Sequence, residues 1–181
     1  MATQKSKPAS RKTAAARGKT GGGMMLALLF SLVLVVGLTA SYWCWMRRVA
    51  TCKTKNLSLS TGHTEGTAGT IYTHAVLTNN GPKCSLGGYP AAFLTDAGGT
   101  VLGSGAATNP VYPPVTVTLG HGQMAHAVLG FPDAGNFSPG VCSAASTYLH
   151  VYPPGSTSVL QTALAEHSCP GFSVTALQAG A

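Results

Sequence analysis

The sequence predicts an all-β domain, an antiparallel β-sandwich, carried behind one transmembrane α-helix and a disordered basic N-terminal arm. Three observations predict it: an uncharged run from Met24 to Met46, a series of short Val-, Thr-, Leu- and aromatic-rich runs after residue 56, and an even set of cysteines in that same portion.

Residues 1–23 contain no aromatic residue and no large aliphatic one after Met1. Such a segment buries too little apolar area to offset its ordering entropy, and it reads as a disordered cytoplasmic arm. Its Lys5, Lys7, Arg11, Lys12, Arg17 and Lys19 read as an orientation signal, because cytoplasmic flanks carry surplus Lys and Arg for topological reasons alone.

Residues 24–46 form a run of 23 residues without a charge. As a helix it is roughly 34 Å long, enough for a hydrocarbon core of about 30 Å. It is longer than the apolar part of a secretory signal, and Leu38-Thr39-Ala40 puts a bulky residue where cleavage wants a small one. The run is therefore read as an uncleaved signal-anchor. Tyr42 and Trp43 stand where lipidation of Cys44 needs small residues, so Cys44 reads as an inert thiol, while Tyr42, Trp43 and Trp45 suit an interfacial aromatic belt. Residues 47–51 make a juxtamembrane linker.

The formal charge of +7 and the pI near 9.4 describe the arm and the flanks. From residue 56 onward Lys83 faces four carboxylates, Glu65, Asp96, Asp133 and Glu166, so the outer domain carries no basic signature and nucleic acid is not an expected partner. Cys52, Cys84, Cys142 and Cys169 form an even set in a small, loop-rich domain, which implies two disulfides and an oxidising compartment. Residues 52–181 are thus expected on the extracytoplasmic side of a single-pass membrane protein whose N-terminus is cytoplasmic.

Within that domain the strands read as Leu57-Ser58-Leu59, Ile71 to Asn79, Ala91 to Thr95, Val115 to Leu119, Met124 to Leu129, Tyr148 to Tyr152 and Phe172 to Leu177. Asn79-Asn80-Gly81-Pro82 is a turn, and Asp96-Ala97-Gly98-Gly99 joins Ala91–Thr95 to Val101-Leu102 as a hairpin. Ser158 to Glu166 is ambiguous, because Val159, Leu160, Ala163 and Leu164 have helical spacing over too short a stretch to decide. Short strands at this spacing, without alternating helices, are those of an immunoglobulin-like antiparallel β-sandwich.

The order of residues carries a resemblance. Cys52 with Leu57 and Leu59, Ala68-Gly69-Thr70 with Tyr72, Leu77-Thr78-Asn79, Cys84 with Leu86, Gly88-Tyr89-Pro90 and Asp96 with Gly99 are followed by Val115 to Leu119, Gly122 with Ala125 and Ala127, Cys142, Tyr148 to Pro154 and Cys169. From Cys52 to about Val174 this resembles the domain-of-unknown-function family 4232, exported modules of actinobacterial cell-envelope proteins behind a signal peptide, lipid anchor or membrane helix. The resemblance implies a β-sandwich and no activity. Four cysteines allow three connectivities. The resemblance favours the sequential one, Cys52–Cys84 and Cys142–Cys169. Tyr89-Pro90 and Tyr152-Pro153-Pro154 read as structural corners where a strand leaves its sheet.

No chemistry announces itself. His63, His74, His121, His126, His150 and His167 form neither a His-x-His pair nor a His-Glu-x-x-His helix. No Gly-x-Ser-x-Gly elbow is present, Gly103-Ser104-Gly105 lacks the helix and lysine of a phosphate cradle, and Asp96 and Asp133 sit in turn-like contexts suited to capping. No catalytic, cofactor or metal residue is assigned. The sequence favours a non-enzymatic envelope module that binds a protein or cell-wall glycan or acts as a spacer; the alternative is a metal-binding or sensory ectodomain using the histidines.

Overall fold

The structure, a computed structural model, describes residues 49–181. The expected arm (1–23) and signal-anchor helix (24–46) lie outside the described residues. Among the described residues no helix is long and apolar enough to cross a membrane.

The described chain is all-β. Its strands are β1 (Leu57–Thr67), β2 (Thr70–Asn79), β3 (Cys84–Gly87), β4 (Ala91–Thr95), β5 (Val101–Leu102), β6 (Ala107–Asn109), β7 (Thr116–Leu119), β8 (Met124–Pro132), β9 (Tyr148–Tyr152), β10 (Leu160–Ala163), β11 (Ser173–Thr175) and β12 (Gln178–Ala179). A large sheet has the order β1-β2-β8-β11-β6, with β12 also paired to β8; a smaller one has the order β10-β9-β4-β5; β3 and β7 form a separate ribbon. Both sheets are open, and the architecture is β-sandwich-like.

Alternation along the strands builds the core. In β8, Ala125, Ala127, Leu129 and Phe131 are buried while His126 and Val128 face the other way. Leu77 and Ala75 of β2, Leu94 of β4, Leu149 and Val151 of β9 and Leu119 of β7 join them in one cluster. Phe131 stacks on Phe172 with ring centroids 4.7 Å apart. The bridges are Cys52–Cys84 and Cys142–Cys169, the sequential connectivity.

Asn79, at 0% exposure, is the most deeply buried polar side chain among the described residues. Its amide nitrogen donates to the carbonyls of Pro82, Leu119 and Gly120 at 3.0, 3.0 and 3.2 Å, and its Oδ1 accepts from the Gly81 N–H at 3.0 Å. The backbone adds Asn79 N–H to Gln123 O and Gly122 N–H to Asn79 O. One side chain thereby fastens the end of β2 to the β7–β8 turn, and every polar atom it brings inside has a partner.

Four expectations need correction, and one stretch that the sequence leaves undecided is settled. The first strand runs to Thr67 rather than ending at Leu59: Ser60–Thr67 has no apolar face, but pairing with β2 through a tight turn at Ala68 (φ 48) and Gly69 (φ 77) holds it as an edge. The ambiguous Ser158–Glu166 stretch contains a strand, because Leu160–Ala163 gains a ladder along β9 that a single isolated helical turn lacks. The sandwich is not wholly antiparallel, since β6 runs parallel to β11. Finally, Val115 is outside β7, and the last expected strand is shorter: Ser173–Thr175 pairs, whereas Leu177 N–H bonds to Gly88 O instead.

Candidate functional site

The outer face of the large sheet gathers three of the six histidines. Thr61 and Thr64 of β1 pair with Ala75 and Thr73, so Gly62 and His63 together oppose the single residue His74. This is a β-bulge. It needs glycine: a Cβ on Gly62 would stand 2.9 Å from Val76 Cγ2 and 3.2 Å from His74 Cβ. The extra residue puts the His63 ring edge-on to His74, with centroids 6.0 Å apart.

On the other side, Val76 pairs with His126 and His74 with Val128, so His74 and His126 are diagonal neighbours on one face. Their rings stack at 4.5 Å with planes 12° apart. His126 is oriented by Nδ1–H donating to Gly180 O at 3.1 Å. Glu65, exposed on β1, reaches within 3.6 Å of His63 Nε2. Gln178 of β12 lies opposite His126 in the register. His74 Nδ1 and Gln178 Nε2 are buried without a hydrogen-bond partner among the described residues, and both belong to this face.

The electrostatics follow from the crowding. Burial pushes the pKa of His74 below the ordinary histidine value, His126 and His63 push it down further, and Glu65 partly offsets them. His74 is therefore held neutral near pH 7.

Sharing one metal ion is a different matter. Imidazole lone pairs lie in the ring plane, so two rings stacked nearly parallel cannot both aim at one ion without turning. Among the described residues no group of three or more His, Cys, Asp or Glu side chains is arranged to hold a metal. The other histidines stand apart: His121 is exposed on the β7–β8 turn, His150 Nε2 is 3.2 Å from Thr95 Oγ1, and His167 Nδ1–H donates to Ser143 O at 2.8 Å.

The carboxylates are engaged locally. Asp96 Oδ1 accepts from Thr100 N–H at 2.8 Å, and chiefly that bond holds its pKa below the ordinary range. Asp133 Oδ1 accepts from Gly135 N–H at 2.8 Å and caps a 3-10 turn, the capping role its context indicated. Glu166 is half-buried, and burial first, then Asp133, raises its pKa against the pull of His167. A cleft of about 470 Å³ beside the β3–β7 ribbon is lined by Thr51, Gly87, Pro114, Val115, Pro154 and their neighbours, with no titratable side chain. Tyr89 and Tyr152 flank β4 and end β9 as corner residues, and Phe93 packs on Tyr152 at 5.7 Å.

Residues 52–181 match the family described as Domain of unknown function (DUF4232), and the chain belongs to that family. Comparison with curated proteins and with solved structures gave no match for the chain.

Proposed function

We propose that this chain is a membrane-anchored, extracytoplasmic module of a cell envelope, non-enzymatic, whose immunoglobulin-like β-sandwich binds a protein or cell-wall glycan partner or acts as a spacer. One observation carries the reading: two disulfides staple a domain that begins just after a 23-residue uncharged run. Disulfides persist in oxidising compartments, and an uncharged run of that length suits a membrane span. The capping duties of Asp96 and Asp133, and a cleft without titratable groups, support a role other than catalysis.

Labelling intact cells with a membrane-impermeant amine reagent tests the topology. Lys53, Lys55 and Lys83 should react, while the lysines of residues 1–23 react only after lysis. The reverse pattern sinks the reading. Turnover of a defined substrate by the purified chain, abolished by changing one carboxylate, would remove the non-enzymatic part.

A second reading, a metal-binding or sensory ectodomain, is favoured by the grouping of His63, His74 and His126. Calorimetric titration of the oxidised chain with zinc and copper salts separates the metal version, since absence of saturable binding eliminates it.

A further inference from the structure

The Lys, Asp and Glu side chains of the folded domain are segregated along the strand direction. Lys53, Lys55 and Lys83 are exposed and flank the Cys52–Cys84 bridge, at the end of the large sheet where β1 begins and β2 finishes. The carboxylates occupy the opposite end. Glu65 lies beside the β1–β2 turn, and Asp133 N–H bonds to Gly69 O of that turn. Glu166 O accepts from Ser146 N–H, next to Thr147, whose N–H bonds to Thr95 O, and Asp96 follows directly. The two sheets share these poles, because Thr54 Oγ1 is 2.5 Å from Ser156 Oγ, just past the end of β9.

Exposed apolar side chains occur elsewhere, Val101 at the carboxylate pole among them, but at the lysine pole they form a group. The loop between β6 and β7 leaves Val111, Tyr112 and Val115 exposed by 62%, 41% and 44%. It belongs to this pole because Val115 and Pro114 share a cleft with Thr51, and Tyr89 O–H donates to Tyr112 O at 3.4 Å. Thr51, whose backbone bridges to Ser85, is also where the chain enters the domain. Residues 47–51 span at most about 17 Å of extended chain, so in a chain anchored through residues 24–46 this pole stays within reach of the bilayer surface.

We propose that the lysine-bearing pole docks on the surface of an anionic bilayer, with Lys53, Lys55 and Lys83 at the headgroups and Val111, Tyr112 and Val115 in the interfacial layer. The inference rests on the membrane-anchored reading given above. Basic residues beside exposed apolar ones are the combination that binds an interface, and tyrosine favours the headgroup level. The four carboxylates at the far pole reinforce the orientation, because an anionic surface repels the end that carries them.

The test uses the full chain in nanodiscs of phosphatidylcholine mixed with phosphatidylglycerol, with doxyl groups on the acyl chains near the headgroups. Valine methyl resonances are the readout. Val111 and Val115 should broaden strongly while Val101, at the carboxylate pole beside Thr95, stays sharp. Each lysine changed to glutamine should lower the docked-to-free ratio about five-fold, the equivalent of roughly 1 kcal/mol per basic residue at an anionic surface.

If the chain stays with the discs but Val111 and Val115 broaden no more than Val101, docking is overturned while the anchor stands. If alkaline carbonate strips the chain from the discs, the anchor fails and docking with it. Broadening in detergent that follows protein concentration, without lipid dependence, assigns the surface to a second copy and also overturns the proposal.

Discussion

Asn79→Asp isolates the buried hub at the end of β2, because it keeps the size of the side chain and changes only its hydrogens. The native amide offers two hydrogens to three carbonyls and one oxygen to Gly81 N–H. Aspartate retains the acceptor and turns its second oxygen toward the carbonyls of Pro82, Leu119 and Gly120. The carbonyls of Pro82 and Gly120 are part-buried and regain water, so each lost bond costs about 1 kcal/mol. The bond to Leu119 O is buried, and an unpaired acceptor there costs about 2 kcal/mol. The total is about 4 kcal/mol with none of the three bonds replaced; the O–H of a protonated aspartate restores one of them, and repulsion of an ionised one adds to the loss. Against a net stability of about 5–15 kcal/mol this is a large fraction. With a urea slope of about 2 kcal/mol/M, the midpoint should fall by about 2 M, followed by far-UV circular dichroism on the oxidised chain. The pH dependence sharpens the test. The introduced carboxyl faces acceptors, so its folded pKa is raised; its protonated form is favoured in the fold, and stability is lost as pH rises through that folded pKa. The deficit should therefore be smallest at low pH. A midpoint at pH 7 within about 0.3 M of the native chain would refute the hub.

The remaining expectations concern titration and crosslinks. For His74 the folded pKa is lowered, so its contribution is full above the ordinary histidine value and is lost as pH falls through the folded pKa. Denaturation midpoints should therefore drop on acidification below about pH 6.5, and His74→Phe should flatten that drop. Glu166 has the opposite sign: its raised pKa means that stability is lost as pH rises through the folded value. Glu166→Gln should then stabilise the chain at neutral pH and have no such benefit in acid, where the native side chain is already protonated; an unchanged melting temperature at pH 7 rejects this. Replacing both cysteines of Cys52–Cys84 (separation 32) or of Cys142–Cys169 (separation 27) with serine should cost about 3.5 kcal/mol in each case by the chain-entropy relation. A loss below about 1 kcal/mol in either unfolding curve would refute it.

Much of the fold is legible in the sequence where two local signals agree. Ala91–Thr95 and Val101-Leu102 alternate around a turn rich in Asp and Gly, and they form the expected hairpin. Met124–Leu129 alternates small apolar with polar residues, and its inward set is the one buried. Legibility fails where pairing alone does the holding. Ser60–Thr67 offers no apolar period, because an edge strand satisfies its backbone with one neighbour and leaves both faces wet. Cys84–Gly87 and Ala107–Asn109 are too short to carry a period, and they are strands only because β7 and β11 supply ladder partners from elsewhere in the chain.

The histidine grouping was invisible for a sharper reason. His63, His74 and His126 come from three strands, and no spacing within one of them links the set. What assembles it is a single inserted residue at Gly62-His63. Without the bulge, pairing in register from Thr61↔Ala75 would place Gly62 opposite His74 and His63 opposite Thr73, on the inner face. Thr64 Oγ1 instead meets Thr73 Oγ1 at 3.2 Å on that face, and His63 swings outward to His74. A glycine in a polar edge strand was the one local trace of this arrangement, since glycine within a strand marks a bulge or a close approach. Gly62 satisfies both conditions, as its missing side chain leaves room for Val76 and His74.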